Sequence, residues 1–445
     1  MNKYISTAIA LAASVSLAYG QANISPAKPQ SQKIIVMGAT IHTGDGAVIP
    51  NGYITFDKGK ITGVGDATVV KFALTDAKVI TATGKHIYPG FIAPVTNLGL
   101  MEIESVKATI DDDELGENNA HIRALIAYNT DSKVPATLRS NGILMAQITP
   151  QGGTISGSSS VVQLDAWNWE DAAIKKEDAM HITWPAAPRG RGGFGGGGGI
   201  RFGGLAAGPA VDPNERTNNA IAELNKFFTE AKLYQETAQP VTNTRLAAMK
   251  GLFNGSQKLF ISADGQKEIV GAVNFAKKFG ITPVIVGGDD AYLLTDFLKA
   301  NNIIVVVKKP QSLPNNADDD VNMPYKNVAR LSNAGVTVVI SFDGGDGFWR
   351  QRNLPFMAGT ASAWGMSKED ALKTITLNAA KAMGIDKTTG SLAIGKDATF
   401  FISAGDALDM IGNKVEEAFI QGRSINLDNL HKQLDKKFSD KYGIK

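Results

Sequence analysis

The chain of 445 residues is long enough for one large domain with an appendage, or for two domains. Its content of 43% hydrophobic and 20% charged residues is that of an ordinary globular protein. With 45 basic and 43 acidic residues the formal net charge is +2, so no overall field favours nucleic acid or an anionic membrane as a partner.

The N-terminal stretch MNKYISTAIALAASVSLAYGQA predicts a secretory signal peptide over residues 1–22. Lys3 precedes an apolar run from Ile5 to Leu17, and small residues follow this run. The run is shorter than the roughly 20 residues of a spanning helix, and no later segment is apolar enough to span. We therefore expect an exported, periplasmic protein without a membrane span.

Cysteine is absent, and the histidines are scattered along the chain. The chain therefore has no disulfide, no thiolate nucleophile and no thiolate metal ligand. No histidine has a second one at ligand spacing, and a lone histidine is more often structural or solvated than a ligand. The sequence thus offers few nitrogen or sulfur donors for a tight zinc site. The histidines are His42, His86, His121, His181 and His431.

Short β-strand patterns at both ends of the chain predict one small composite β-sandwich domain. Residues 33–88 contain KIIVMGATIHT and GYITFDKGKITGVG, and residues 385–426 contain GSLAIGKDATFFISAG and VEEAFIQGRSI. Ile, Val and Thr are frequent in these segments, which are separated by glycine-containing turns. Two such segments at opposite ends of a chain often close into one domain around an inserted middle. A charged helix is expected over residues 427–445.

Residues 89–384 alternate between strand-like and helical segments, which indicates βα units around a parallel sheet. The strand-like segments are NGILMAQIT, KLFISA, TPVIVGG, NIIVVV and VTVVISFD. A (β/α)8 TIM-like barrel is the predicted closure, with a doubly wound open sheet as the alternative. One predicted helix places apolar residues on a single face: Ile269, Ala272, Val273, Ala276 and Phe279.

A glycine-rich insertion over residues 186–210 interrupts this alternation. A run of glycines does not specify one conformation, so we expect a mobile loop over the barrel mouth. Its arginines and phenylalanines faintly resemble those of single-strand nucleic-acid binders, but export and the near-neutral charge favour a flexible insertion. Two acidic runs, TIDDDELGEN and NNADDDVN, are interpreted as solvated loops.

Three local motifs resemble the amidohydrolase superfamily, especially its exported imidazolonepropionase-like and prolidase-like members. ATIHTGDGAVIPNGYITFDKGKITGVG resembles the opening of the family's β-sandwich, and GKHIYPGFI resembles the entry into barrel strand 1. TITLNAAKAMGIDKTTGSLAIGKDATFFI resembles the last barrel helix and the return to the sandwich. The resemblance extends from about Lys33 to Asn426 and implies a metal-dependent hydrolase fold acting on non-peptide or dipeptide C–N bonds.

The resemblance also implies where a metal centre would lie. Family members hold one or two divalent metals at the C-terminal mouth of the barrel, with a His-x-His pair on strand 1, histidines on strands 5 and 6, an aspartate on strand 8 and often a lysine on strand 4. Here GFIAPVTNLG stands in place of the family's GFIDxHxH, and no strand 4 lysine can be placed. The strand 8 acid remains as Asp343. Other residues occupy the four histidine positions: Val95, Asn97, Ser262 and Gly287.

The first functional hypothesis is a catalytically impaired pseudo-hydrolase that acts as a binding or partner subunit and needs no cofactor. Valine has no lone pair to donate, and a neutral amide oxygen is a poor zinc ligand. The partner would be a second copy of the chain or an intact amidohydrolase paralogue.

The second hypothesis is an active hydrolase with a rebuilt site of oxygen ligands, in which Asp343 is the acid/base or a ligand. Oxygen ligands suit a hard divalent cation such as calcium, magnesium or manganese, whereas the family's usual metal is zinc. Asp289 and Asp290 also fit the N-cap of a helix, which is the structural alternative for these two residues. The possible substitute ligands at predicted strand ends are Asp264, Asp289, Asp290 and Asp346.

The third hypothesis is a binding site for a carbohydrate or peptide in the segment DGFWRQRN. Trp349 could stack on a ring, and Arg350 and Arg352 could hold a carboxylate. A loop aromatic residue is also commonly a packing anchor.

Overall fold

The computed structural model describes residues 25–70, 77–186, 212–237, 241–314, 318–342 and 347–444. The predicted signal peptide, nearly all of the glycine-rich insertion, Asp343 and Asp346 lie outside these residues. The strands are β1 (Lys33–His42), β2 (Val48–Asp57), β3 (Lys60–Asp66), β4 (Ala77–Thr81), β5 (His86–Pro89), β6 (Phe91–Thr96), β7 (Ile143–Ile148), β8 (Ile155–Gln163), β9 (Ala173–Thr183), β10 (Lys258–Ala263), β11 (Val284–Gly287), β12 (Ile304–Lys308), β13 (Thr337–Ser341), β14 (Phe400–Ser403), β15 (Val415–Ile420) and β16 (Arg423–Ser424).

The α-helices of the same ranges are α1 (Val134–Arg139), α2 (Trp169–Ala172), α3 (Pro213–Glu236), α4 (Thr244–Ala248), α5 (Lys250–Asn254), α6 (Gln266–Lys278), α7 (Thr295–Ala300), α8 (Met323–Asn333), α9 (Gly347–Arg350), α10 (Leu354–Ala363), α11 (Lys368–Thr374), α12 (Leu377–Met383) and α13 (Leu430–Tyr442). No described helix is long and apolar enough to cross a lipid bilayer.

One sheet contains strands from both ends of the chain, in the order β16-β15-β14-β5-β1-β2-β3, with β4 paired to β1. The antiparallel pairing of β14 with β5 joins the C-terminal strands to the N-terminal ones. Apolar residues on one face form a separate core that includes Phe56, Phe400 and Phe419, whose rings contact one another. The prediction that both ends of the chain join in one small β domain is confirmed, in the form of a single composite sheet.

The second sheet is the barrel, in the order β13-β12-β11-β10-β9-β8-β7-β6. Its two outer strands meet where the Ser341 hydroxyl donates a buried 2.7 Å hydrogen bond to the Pro94 carbonyl. The sheet is parallel except for β8, which is antiparallel to both β7 and β9. The connections on either side of β8, residues 149–154 and 164–172, are too short for the parallel crossovers that the alternating pattern predicted. The TIM-like barrel is confirmed, with this local difference.

Successive strand residues alternate between the helix layer and the barrel interior. Leu259 and Ile261 of β10 pack in the same core as Ile269 of α6, and Phe260 packs with Val286 inside the barrel. The predicted buried face of α6 is confirmed, because its four first members are fully buried and Phe279 packs against the same core.

Helix α12 closes the N-terminal end of the barrel. The Asn378 side chain donates to the Val338 carbonyl at the start of β13, and the Lys175 ammonium donates to the Met383 carbonyl. Alanines and Met383 of this helix pack against the apolar residues of the barrel interior. The opposite, C-terminal end is left for polar groups, as in other barrels of this type.

A buried ion pair joins the barrel to the composite sheet. Asp165 accepts hydrogen bonds from Arg139 (2.7 Å), from Arg423 of β16 (3.0 Å) and from the Ala27 backbone N–H (2.9 Å). Asp165 and Arg139 are only 3% and 6% exposed. One carboxylate therefore links the segments around Ala27, Arg139 and Arg423.

Candidate functional site at the barrel mouth

Val95 lies near the carboxyl end of β6, where the family resemblance places the first histidine. Its side chain is 5% exposed and packs with Ile92, Val286 and Val306 inside the barrel. Its backbone has φ +47°, a left-handed conformation that is rare for a β-branched residue and costs about 1–3 kcal/mol. The Val95 N–H donates to Gln147 Oε1 at 3.1 Å, which helps to hold this strained residue. The Val95 side chain therefore provides no ligand atom for a metal ion.

Asn97, at the second histidine position, is used to hold a neighbouring loop. It is 6% exposed, and its Nδ2 donates to Asp112 Oδ2 at 2.8 Å. Burial raises the pKa of Asp112, and the hydrogen bond from Asn97 opposes that shift. Because Asp112 is buried, the interpretation of TIDDDELGEN as a solvated loop is wrong for this residue. A cavity of about 200 Å³ lies beside it, and its charged lining is Asp111, Asp112, Asp113, Glu114 and Arg123.

Ser262 and Gly287, at the remaining histidine positions, lie at the ends of the adjacent strands β10 and β11. Ser262 pairs with Val286, and Ala263 pairs with Gly287. A Cβ atom on Gly287 would overlap Oδ1 of Asp264, and the φ of +103° at this glycine is unfavourable for any side chain. The Asp264 carboxylate thus occupies the space that a histidine side chain on β11 would need.

The other two candidate acids on this side take different roles. Asp290 is the N-cap residue of a short 3-10 helix, as the sequence predicts, but its side chain makes no cap hydrogen bond there. Its Oδ2 instead accepts a 3.3 Å hydrogen bond from the Gln266 N–H, at the N-terminus of α6, where a negative charge is favourable. Asp289 lines a cleft together with Asp290 and Asp319. These contacts do not bring the acids together as a ligand set.

A buried polar network inside the barrel was not predicted from the sequence. Asp178 accepts from Gln147 Nε2 at 2.7 Å and from the Ser159 hydroxyl at 2.8 Å. His181 Nε2 lies 2.9 Å from the same hydroxyl. Three of these residues are fully buried and His181 is 7% exposed. The sequence features that mark this network are the polar run GSSS within β8 and Asp178, which precedes the apolar residues of β9.

Burial raises the pKa of Asp178 to about 6, although hydrogen bonds from Ser159 and Gln147 and the charge of Lys175 favour the carboxylate. The serine, histidine and aspartate are of the types used in nucleophilic catalysis. Here, however, the hydroxyl lies between the other two groups and has no solvent access, so it is not placed to attack a substrate. The network positions the strands.

The candidate binding residues after β13 contact one another. The guanidinium carbons of Arg350 and Arg352 lie 5.0 Å and 5.3 Å from the Trp349 ring centroid. The Arg352 carbonyl accepts from Asn141, and Gln351 is fully buried and donates to the Phe342 carbonyl. Since the chain's own arginines already lie near the ring, the arrangement resembles a packing anchor more than a ligand platform.

The histidines do not gather at the mouth. His42 and His86 lie in the composite sheet, where His42 contacts Glu369 (2.7 Å) and His86 (3.1 Å). His121 has a buried Nδ1 without a hydrogen-bond partner. Within the ranges that the structure covers, no three His, Cys, Asp or Glu side chains come together in a way that could hold a metal ion.

The described residues do not fit the family's metal centre. The four expected nitrogen donors are replaced by an apolar group, an amide committed to Asp112, a hydroxyl and a glycine whose side-chain space is taken. Zinc in proteins is bound mainly by imidazole and thiolate, and neither type is clustered among these residues. Asp343 lies outside the described residues and is not part of this comparison.

A barrel closed at one end by a helix and joined to a sheet from both chain termini is the architecture of metal-dependent hydrolases of the amidohydrolase type. Residues 262–428 match the model of the amidohydrolase family. An amidohydrolase from Thermotoga maritima has a similar structure, with a TM-score of 0.73 at 20% identity over 88% of this chain and 99% of that chain. A zinc-bound adenosine deaminase from Xanthomonas campestris has a TM-score of 0.52 at 12% identity, over 94% of this chain and 99% of that chain.

Sequence relatives point the same way. An imidazolonepropionase from Fusobacterium nucleatum is 25% identical over 379 residues, which cover 78% of this chain and 84% of that enzyme. Another from Flavobacterium psychrophilum is 26% identical over 178 residues, which cover 34% of this chain and 43% of that enzyme. The family-model match and these relatives support the resemblance of this chain to the amidohydrolase superfamily, whose listed members are hydrolases.

Proposed function

We propose that this protein does not use the metal-bound water chemistry of its family and acts as a binding or partner subunit. The position of Asp264 carries the proposal, because its carboxylate occupies the space of a side chain at Gly287. A histidine cannot be accommodated there without moving the acid. Val95 supports the proposal from the other side of the mouth, since its apolar side chain is part of the packed interior.

The interior network gives a second line of support. Gln147, Ser159, Asp178 and His181 hydrogen-bond one another in the middle strands of the barrel. Buried polar groups are stable when they are satisfied, and this set satisfies itself without an ion. We infer that the barrel is held together by these contacts in place of metal coordination.

Export to the periplasm and pairing with a second copy or with an intact amidohydrolase paralogue are part of the same proposal. They rest on the N-terminal sequence pattern and on the family fold. Cell fractionation would test export. Native mass spectrometry of the protein alone and mixed with an exported paralogue would test pairing.

Elemental analysis of the purified protein after mild dialysis tests the central claim, together with an assay panel of cyclic amides and dipeptides. We expect substoichiometric zinc and no hydrolysis above background. Near-stoichiometric zinc would refute the proposal. Metal-dependent turnover with manganese, magnesium or calcium, abolished by Asp343→Asn, would favour the alternative of a hydrolase with a rebuilt oxygen-ligand site.

A further inference from the structure

The cavity beside Asp112 lies at the barrel mouth, between the loop that follows β6 and the connection from β7 to β8. Its volume is about 200 Å³. One water molecule needs only about 10–15 Å³ of such space, so the cavity admits an organic molecule of several heavy atoms. None of the four positions that correspond to the family's histidines lines it, so it is separate from the expected metal centre.

Ser156, near the start of β8, supplies the first polar group of this cavity. It is only 6% exposed, yet its hydroxyl makes no hydrogen bond with any residue that the structure describes and is not sealed off from the cavity. The next three serines of the strand, residues 158–160, are also buried, and each of their hydroxyls is hydrogen-bonded to a protein group. Since nearly buried polar groups are normally paired, the Ser156 hydroxyl indicates a bound partner in the cavity.

Asp112 supplies the second polar group, from the loop that follows β6. It is 8% exposed, its Oδ2 accepts from Asn97, and no other residue of the described chain donates to its carboxylate. Burial raises the pKa of Asp112, the hydrogen bond from Asn97 opposes this shift, and the charges of Asp113 and Asp111 raise the pKa further. A positively charged N–H donor beside this carboxylate would stabilise its ionised form.

The remaining charges leave the cavity negative. Asp111, Asp113 and Glu114 lie at its exposed rim, and within the described ranges none of their carboxylates is paired with a basic side chain. The Arg123 guanidinium also lines the cavity, but its charge is offset by an ion pair with Glu177. The excess of carboxylates favours a cation as the occupant.

The geometry favours an organic cation over a metal ion. In the part of the chain that the structure describes, no three acidic or histidine side chains are arranged to hold a metal ion. The uncharged wall of the cavity is aliphatic instead, and comprises Ile122, Ala124, Ala127 and Pro150. Such a wall matches an alkyl chain, because burying apolar surface on both sides stabilises the contact.

We propose that this cavity binds an alkylammonium ligand, whose N–H groups donate to the Ser156 hydroxyl and the Asp112 carboxylate and whose alkyl chain packs against the aliphatic wall. The inference rests on the proposed binding role and deepens it by naming a ligand class. Its test does not depend on metal content or on hydrolysis.

The experiment titrates the full-length protein with n-butylammonium at constant ionic strength, followed by two-dimensional NMR or calorimetry. Saturable binding at millimolar concentrations is expected. 1-Butanol lacks the charge, butanoate has the opposite charge and tetramethylammonium lacks the N–H donor, so each should bind at least about tenfold more weakly. Calcium chloride tests a bare cation and should not displace n-butylammonium at equal concentration.

Two variants test the two polar groups. Ser156→Ala should weaken n-butylammonium binding about two- to tenfold, the range of one neutral hydrogen bond. Asp112→Asn keeps an acceptor for Asn97 but removes the charge, so it should weaken binding at least about tenfold. Ser158→Ala is the matched control, because Ser158 is an equally buried serine of β8 that accepts from Gln257 and does not line the cavity. Its affinity should equal that of the wild type.

Any one of several results would overturn the inference. These are the absence of saturable n-butylammonium binding, equal binding of 1-butanol or tetramethylammonium, displacement by calcium, and unchanged affinity in folded Ser156→Ala. If Asp112→Asn does not fold, Ser156→Ala decides, because it removes a single unpaired oxygen and should fold. Zinc content and hydrolysis test the proposed function instead, so the two can fail separately.

Discussion

Asp178→Asn is expected to remove a distinct pH dependence of the free energy of unfolding. The pKa of Asp178 is about 6 in the folded protein, against a usual value of 3.8. The folded state therefore retains a proton over this range that the unfolded state has lost. The stability from this group is full below the lower value and is lost as pH rises through about 6.

The magnitude follows from the pKa difference of roughly two units. At about 1.4 kcal/mol per unit the full effect is about 3 kcal/mol, and about 2 kcal/mol of it is lost between pH 4 and pH 6.5 because the titration extends beyond both ends of this window. Asparagine does not titrate, and its carbonyl can still accept from Gln147 while the Ser159 hydroxyl turns toward His181. The variant should therefore fold, and its stability relative to the wild type should rise by about 2 kcal/mol across this window.

The assay is urea unfolding of wild type and variant at half-unit steps from pH 4 to pH 7. Only the difference between the two proteins is interpreted, because other titrating groups contribute equally to both. Asp435→Asn, on the exposed helix α13, is the control for loss of one negative charge. A wild-type-minus-variant difference that stays constant within about 0.5 kcal/mol over the whole range would refute the reasoning.

Three further predictions concern other parts of the fold. Asp165→Ala should destabilise the protein by about 3–5 kcal/mol in urea unfolding, since it leaves Arg139 buried without its partner; a loss below 1 kcal/mol would contradict the role of this ion pair. Gly287→Ala should destabilise the protein by about 2–5 kcal/mol, through the overlap with Asp264 and the positive φ. The double variant Gly287→Ala/Asp264→Ala should regain the stability lost through the overlap but not the stability lost through the positive φ. If the effects of the two substitutions simply add, the carboxylate does not occupy this space. Burial and the neighbouring His42 lower the pKa of His86, so stability from this histidine is present above pH 6.5 and is lost as pH falls below it. His86→Asn should reduce this loss of stability at acid pH. An unchanged pH dependence in thermal unfolding from pH 5 to pH 7.5 would contradict the lowered pKa of His86.

Much of the architecture was predictable because it depends on local patterns. Alternating apolar strands separated by helical segments give βα units, and the buried face of α6 follows from its helical spacing. The antiparallel strand β8 was missed because its polar serines point into a hydrogen-bonded interior instead of forming an apolar strand face. Single-sequence patterns do not reveal which polar residues will find partners after folding.

The candidate site likewise has features that were predictable from the sequence and features that were not. The loss of imidazole donors is a matter of residue identity, and reading Val95 and Gly287 in place of histidines required only the family motif. The contacts of Asn97 with Asp112 and of Asp264 with Gly287, and the cavity shared by Asp112 and Ser156, join residues that are distant in sequence or lie on different strands. Chain order does not specify such distances.

The amino-acid sequence by itself pointed to the amidohydrolase superfamily, to the barrel with its composite sheet and to the replacement of the four metal-binding histidines, because these depend on residue type and short-range periodicity. Only the tertiary structure decided what fills the space instead: an apolar valine, a carboxylate against a glycine, a closed polar network and a cavity with an unpaired serine hydroxyl. The physical reason is that packing and hydrogen bonding are set by three-dimensional proximity, and burial then determines which polar groups are satisfied.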